Sequence, residues 1–285
     1  MQSHLHLHLG AHKTATTHFQ RMLDTIAGRT ASEVLIPTQA NIRKEITHAN
    51  RFLIFEHQRE IQSFLSDLLS SGNQNVVISE ENLIGEAKDF FDCDSLYKNS
   101  LNRLRTFSNL IPNSQAVTIW FFIRSLDSFL PSIYCEYLRH WSYRDFDSVL
   151  NGNYRQSWLP VINCIQSVFP NAHINIVDYH QYRKIVPRVL AEITGDSSEN
   201  LPEQFKVVRP RLSNFTVQAV AHMPDRMPFL LQNMAVDLFS TISRFTGKSQ
   251  PYSPFCSLIT QQLREVYKND IETIRNTPTL TLVEQ

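Results

Sequence analysis

The stretch Ala116-Val117-Thr118-Ile119-Trp120-Phe121-Phe122-Ile123 sets the tightest limit on what this chain can fold into. A strand with one wet face alternates apolar and polar residues. This run is apolar almost throughout, as a strand buried on both faces must be, and such strands lie at the centre of helix-covered parallel sheets. Shorter strand candidates surround it: Leu5 to Leu9, Val34-Leu35-Ile36, Val76-Val77-Ile78, and Ile174 to Asp178. Apolar residues recur at helical intervals over Thr14–Ala27, Ile54–Leu69, Ser95–Leu110, Phe129–His140, Ser157–Phe169 and Arg183–Thr194.

Strands alternating with helices predict an α/β fold, a parallel β-sheet flanked by helices. Beyond Pro202 the strand signals fade, and Thr216–Phe245 and Leu258–Ile274 read as helices around a Pro251–Pro254 loop. The expected organisation is one α/β domain over residues 1–285, with a sheet-forming core to about 200 and a mainly helical C-terminal extension over 201–285.

Twenty-seven basic residues balance 27 acidic ones, so no whole-protein field draws this chain to nucleic acid or to a membrane surface. Any anion site must be local. Cys93, Cys135, Cys164 and Cys256 are widely spaced, which suits a reduced compartment better than a disulfide scaffold. No run approaches the ~18 apolar residues of a bilayer span, and histidines interrupt the apolar start that a signal peptide would need. These features predict a cytoplasmic protein without an integral membrane segment. They leave its oligomeric state open.

The local anion site is predicted at the N-terminus. His4, His6 and His8 alternate with leucines on a short strand, and then Gly10-Ala11-His12-Lys13-Thr14-Ala15-Thr16-Thr17 leads into a helix. Free backbone N–H groups and the helix dipole favour an anion at a helix start. Lys13 adds a full charge, and Thr14, Thr16 and Thr17 add hydroxyl donors. The nucleotide-triphosphatase consensus GxxxxGK[ST] fits poorly, because Gly10 stands three residues before Lys13 and no second glycine precedes it. Two histidines of the strand could share a metal, but no third ligand accompanies them, and no metal is expected. Their polar face is expected to line a cleft.

Past the apolar strand, Arg124 follows directly and Ser132 stands eight positions on. Arginine offers a planar fork suited to phosphate. Pro131 is best tolerated in a first helical turn, which predicts a helix start near Ser128 and places Ser132 close to that N-terminus.

The two segments together resemble the PAPS-dependent sulfotransferase superfamily, whose nucleotide site is of the P-loop type; PAPS is 3′-phosphoadenosine 5′-phosphosulfate. In that family a Lys-Thr-Gly-Thr-Thr core grips the 5′-phosphosulfate, and an arginine with a serine eight residues on grips the 3′-phosphate. Ala15 replaces the core glycine here, and Ser125-Leu126 replaces a common Asp-Pro. The resemblance implies sulfuryl transfer from PAPS to a hydroxyl or amine of a carbohydrate or small-molecule acceptor. It implies binding of the donor by Gly10, His12, Lys13, Thr14, Ala15, Thr16, Thr17, Arg124 and Ser132, with Lys13 also catalytic. Many carbohydrate- or protein-directed members have a Ser-Ser-Glu-like stretch with a glutamate base. Matching it to Ser79-Glu80-Glu81 implies Glu81, with Glu80 and a histidine as rivals.

Arg209 and Arg211 suggest a later basic segment that closes over the nucleotide, or a solvated loop. A kinase or nucleotide hydrolase would instead need a magnesium ligand, for which Asp178 is available. A non-catalytic nucleotide- or glycan-binding protein is the third reading.

Overall fold

Both faces of the central strand are buried in the computed structural model of the protein, which describes residues 3–27, 34–90, 95–152, 154, 156–195, 211–224 and 228–284. The expectations on Cys93 and Arg209 lie outside these residues. In chain order the elements are β1 (His4–His8), α1 (Thr16–Ala27), β2 (Val34–Leu35), α2 (Gln39–Ile42), α3 (Phe55–Leu69) and β3 (Asn75–Ser79). Then come α4 (Ser100–Ser108), β4 (Val117–Ile123), α5 (Leu126–His140), α6 (Phe146–Leu150), α7 (Leu159–Val168), β5 (His173–Asp178) and α8 (Tyr182–Thr194). The C-terminal part holds α9 (Asn214–Ala221), α10 (Phe229–Phe245), α11 (Ser257–Arg275) and β6 (Leu280–Val283).

The sheet is six-stranded, in the order β2-β3-β1-β4-β5-β6, and every pair in it is parallel. This is the helix-flanked parallel α/β architecture the apolar run predicts. Alternate residues of each strand feed two cores. Leu5, Leu7, Val76, Ile78, Ile119, Phe121 and Ile176 pack on one side. Val77, Trp120, Phe122 and Val177 pack on the other, against Phe19, Met22, Leu23 and Ile26 of α1 and Ile185, Val189 and Ile193 of α8. β1 has β3 on one side and β4 on the other, so successive connections leave it in opposite directions. That switch opens a crevice at the strands' carboxyl ends, where open α/β sheets place ligands.

Four expectations change. The C-terminal extension is mainly helical but returns to the sheet as β6, whose register pairs Ile176 with Leu282. The stretch Thr216–Phe245 is not continuous; it is α9 and α10. Helix α5 starts at Leu126 rather than near Ser128, so Pro131 sits inside it and Ser132 lies almost two turns from its start.

The histidine face of β1 does not line a cleft. His6 and His8 are buried under α1, with the His8 ring 4.6 Å from Phe19 and 4.5 Å from Phe122. Parallel strands are covered on both faces, and here imidazoles fill part of the second face. Cross-strand partners make this tolerable: His4 Nε2 is 2.8 Å from Thr118 Oγ1, Trp120 Nε1 donates to His6 Nδ1 at 3.3 Å, and His8 Nδ1 is 2.7 Å from Ser79 Oγ. Burial pushes His6 down to about 4 and His8 down to about 3, so both are neutral at pH 7. Among the described residues no helix is long and apolar enough to cross a membrane.

Candidate active site

The carboxyl ends of β1, β3, β4 and β5 border one cleft of about 1110 Å³, large against the ~300–1,000 Å³ of ordinary ligand pockets. His12, Lys13, Ala15, Thr16, Thr17, Glu81, Arg124 and Ser132 all line it. Of the expected site residues, Gly10 and Thr14 stand behind its wall.

Each has a reason to be there. Gly10 has φ +89°, and a Cβ on it would stand 2.8 Å from the Glu81 Cβ, so only glycine lets β1's loop pass this close to β3's end. Thr14 is fully buried, and its hydroxyl donates to the Ala11 carbonyl at 2.6 Å, so it shapes the loop instead of offering a donor to the cleft.

Helix α1 starts at Thr16, two residues later than expected, because Lys13 (φ 60°) and Ala15 (φ 69°) are in the left-handed region. The Ala15 carbonyl accepts from the N–H groups of His18 and Phe19 and so opens the helix. Those of Thr16 and Thr17 donate to no acceptor among the described residues and sit at the cleft. They are free donors where the dipole is positive.

Lys13 crosses the cleft to α5, where its Nζ is 3.1 Å from Glu136 Oε2. Glu136 Oε1 is in turn 3.2 Å from His140 Nε2. Sequence reasoning missed this carboxylate, although the signal was present. Ser132, Glu136 and His140 are four residues apart on α5 and share one helix face.

Glu80 and Glu81 take different roles. Glu80 is fully buried and caps a short 3₁₀ turn over Glu81–Leu83, its Oε1 accepting from the Asn82 N–H at 3.1 Å. Burial and the neighbouring Glu81 charge raise its pKa. Glu81 faces the cleft, with Oε1 taking a bond from Arg43 Nη2 at 3.0 Å and Oε2 one from Gln20 Nε2 at 3.1 Å. Burial disfavours its charge, but the Arg43 guanidinium and nearby hydrogen-bond donors favour it, and its pKa lies below the usual range. The charge at the mouth of the site therefore belongs to Glu81. Arg43 joins the pair through Nε to Glu80 Oε2 at 3.0 Å, a partner that no sequence pattern announced.

His12 is committed to holding the loop. Its N–H donates to the Tyr97 hydroxyl at 2.9 Å, its Nδ1 is 2.8 Å from that oxygen, and its Nε2 is 3.2 Å from Asn82 Oδ1. Burial lowers its pKa, and the neutral ring satisfies all three contacts when Nε2 carries the proton and Nδ1 accepts from Tyr97.

Arg124 ties the second half of the site to the first. Its Nη1 donates to the Lys13 carbonyl at 2.9 Å and its Nε to Ser128 Oγ at 2.8 Å, while its guanidinium carbon lies 4.5 Å from the Tyr179 ring centroid. Arg211 donates to the Ser128 carbonyl at 2.7 Å and borders the same cleft, so it is braced rather than solvated. Burial, reinforced by Arg211, pulls Arg124 down to about 10, which leaves it charged at pH 7. Asp178 is occupied: it accepts from Tyr267 Oη at 2.7 Å and from the His180 N–H at 2.9 Å.

No family model matches the chain, and no curated protein matches it. Among solved structures it is similar to the sulfotransferase domain from the curacin biosynthetic pathway, at 13% identity and TM-score 0.36, covering 94% of this chain and 98% of that one. It is similar at 10% identity and TM-score 0.36 to retinol dehydratase in complex with androsterone and inactive cofactor PAP, covering 94% of this chain and 80% of that one. A sugar kinase from Janibacter sp. HTCC2649 matches at 11% identity and TM-score 0.32, covering 69% of this chain and 97% of that one.

Two predictions test this geometry. Ala15 in the left-handed region costs roughly 1–2 kcal/mol, against ~0.4–1 kcal/mol for the greater unfolded-state freedom of glycine. Ala15→Gly is therefore expected to stabilise the fold by about 0.5–1 kcal/mol in urea unfolding; a destabilised variant contradicts the assigned loop conformation. Glu136→Gln removes the carboxylate that competes for Lys13. Inorganic pyrophosphate should then bind more tightly, by up to about tenfold in calorimetry (~1.4 kcal/mol). Unchanged affinity means that Lys13 is not held back by Glu136.

Proposed function

We propose that this protein transfers a sulfuryl group from PAPS to a hydroxyl or amine of a carbohydrate or small-molecule acceptor, releasing adenosine 3′,5′-bisphosphate. One observation carries the reading: two separate cationic grips, Lys13 at the β1 loop and Arg124 with Ser132 after β4, open into the same cleft as the carboxylate of Glu81. A donor with a phosphosulfate at one end and a 3′-phosphate at the other calls for two cationic groups on one cleft.

In this reading the N–H groups of Thr16 and Thr17 and the ammonium of Lys13 hold the 5′-phosphosulfate. The guanidinium of Arg124 uses Nε and Nη1 within the protein, which leaves Nη2 for the 3′-phosphate, with the Ser132 hydroxyl and Arg211 alongside. The acceptor oxygen or nitrogen attacks sulfur in line, and its proton passes to the Glu81 carboxylate. The S–O bond to the 5′-phosphate breaks, and its electron pair stays on the phosphate oxygen. Lys13 leaves Glu136 to neutralise that oxygen, stabilising charge that develops in the transition state. Lysine, backbone N–H groups and arginine supply the positive charge, so the scheme assigns no step to a metal.

A kinase or nucleotide hydrolase would call on Asp178 to hold magnesium, but its Oδ1 already accepts from Tyr267 and the His180 N–H. That reading has less support.

Incubation with sulfur-labelled PAPS and a panel of glycans and small alcohols, phenols and amines is expected to label an acceptor. Lys13→Ala should abolish transfer, and full activity in that variant would sink the proposal. Arg124→Ala should chiefly weaken bisphosphate binding, by roughly 1.5–3 kcal/mol for a charged hydrogen bond to the anion. Unchanged affinity removes Arg124 from the donor site.

A further inference from the structure

Helix α10 is turned the wrong way for a helix that meets only water on its outer side. Leu230, Met234, Leu238 and Phe245 are 70%, 61%, 57% and 87% exposed, and Leu231 is exposed beside them. The face turned inward carries Gln232 and Ser243 next to Val236. Surface helices of isolated proteins show the reverse pattern.

The rotation is fixed by hydrogen bonds. Gln232 Oε1 accepts from the Tyr143 N–H at 2.7 Å, and its Nε2 donates to the Trp141 carbonyl at 2.9 Å. Near the other end, Ser243 Oγ donates to the Lys248 carbonyl at 2.6 Å and is 2.7 Å from Ser213 Oγ. These bonds are satisfied at both ends, so turning the helix to bury its leucines would strand buried polar groups.

We propose that the α10 stripe is a self-association surface, and that its occupant is a second copy of this chain, packed antiparallel across a two-fold axis at Leu238. Three observations select that occupant. First, the stripe reads alike in both directions. Antiparallel packing about Leu238 sets the exposed Leu231 against Phe245 of the other copy and Met234 against the half-buried Ile242, and it brings the two Leu238 side chains together. A two-fold interface needs such self-complementarity.

Second, the only charged residues among the exposed positions of α10 are Asp237 and Arg244, one of each sign. The whole chain is also neutral, with 27 basic and 27 acidic residues, so two copies meet without net repulsion. A helix that lies on an anionic membrane carries a Lys/Arg-rich polar face, which this one lacks.

Third, five large apolar side chains, Leu230, Leu231, Met234, Leu238 and Phe245, are each at least half exposed on this one helix, a contiguous apolar area of the kind that forms the core of the ~800 Å² each partner gives to a standard interface. It also exceeds the single scattered leucines that need no explanation.

The cleft residues are not part of this surface, so the proposal stands or falls independently of the activity. Sedimentation velocity on the full chain over a wide concentration range is expected to show a species of twice the 33.0 kDa chain mass. Leu238→Glu, on the exposed side, should leave the far-ultraviolet spectrum unchanged and shift the protein to the single-chain mass. Leu238→Cys treated with a short bismaleimide should cross-link two chains well above the parent, whose exposed Cys256 sets the background. A parent chain that stays single at every concentration overturns the proposal. So does a dimer that persists in Leu238→Glu with no cross-link at position 238. Single chains that bind phosphatidylserine vesicles, and lose that binding in Leu238→Glu, assign the stripe to a membrane surface and overturn it equally.

Discussion

The site depends on one bond, from Arg124 Nη1 to the Lys13 carbonyl. It joins the end of β4 to the loop after β1, while Nε of the same guanidinium holds the Ser128 hydroxyl at the start of α5. Trp158 Nε1 donates to the Arg124 carbonyl at 2.8 Å, and Tyr179 after β5 stacks on the guanidinium. Three segments thereby meet the planar guanidinium, and a fourth, at Trp158, is tied to the same residue's carbonyl. The loop that carries Lys13 also has two non-glycine residues in left-handed conformations, which a free loop would not sustain without support of this kind.

The same logic explains the charge layout. Several cations of the cleft are balanced or braced within the protein: Lys13 by Glu136, Arg43 by Glu80 and Glu81, Arg211 by backbone carbonyls. Under the proposed function, a neutral chain thus keeps a local anion site without a strong external field. Binding an anion then means exchanging partners, and the Lys13–Glu136 pair is the exchange with most effect on the loop.

Much of this was legible in the sequence where the signal is local. The unbroken apolar run gave β4 and, through it, the parallel sheet. The Gly10-to-Thr17 pattern gave the loop and helix, and the family resemblance singled out Arg124 and Ser132, which both border the cleft. What could not be read depends on contacts between distant segments. The histidines of β1 alternate like a wet face, yet α1 and Phe122 cover them, because a parallel sheet takes helices on both sides. Strand β6 is short and amphipathic, and only the free edge of β5 makes it a strand. Thr14 resembles a ligand donor until the Ala11 carbonyl turns up within its reach. Arg43 acts through pairing with a carboxylate 37 residues away, which no motif encodes, whereas Glu136 shares its helix face with Ser132 and could have been found from that spacing.

The central claim is that one cleft grips two anions of one nucleotide. Calorimetric titration in the presence of a chelator, with adenosine 3′,5′-bisphosphate and then adenosine 5′-phosphate, tests it most directly. The account predicts that the bisphosphate binds at least about tenfold more tightly, a difference of ~1.4 kcal/mol supplied by the 3′-phosphate. Equal affinities for the two nucleotides would contradict it.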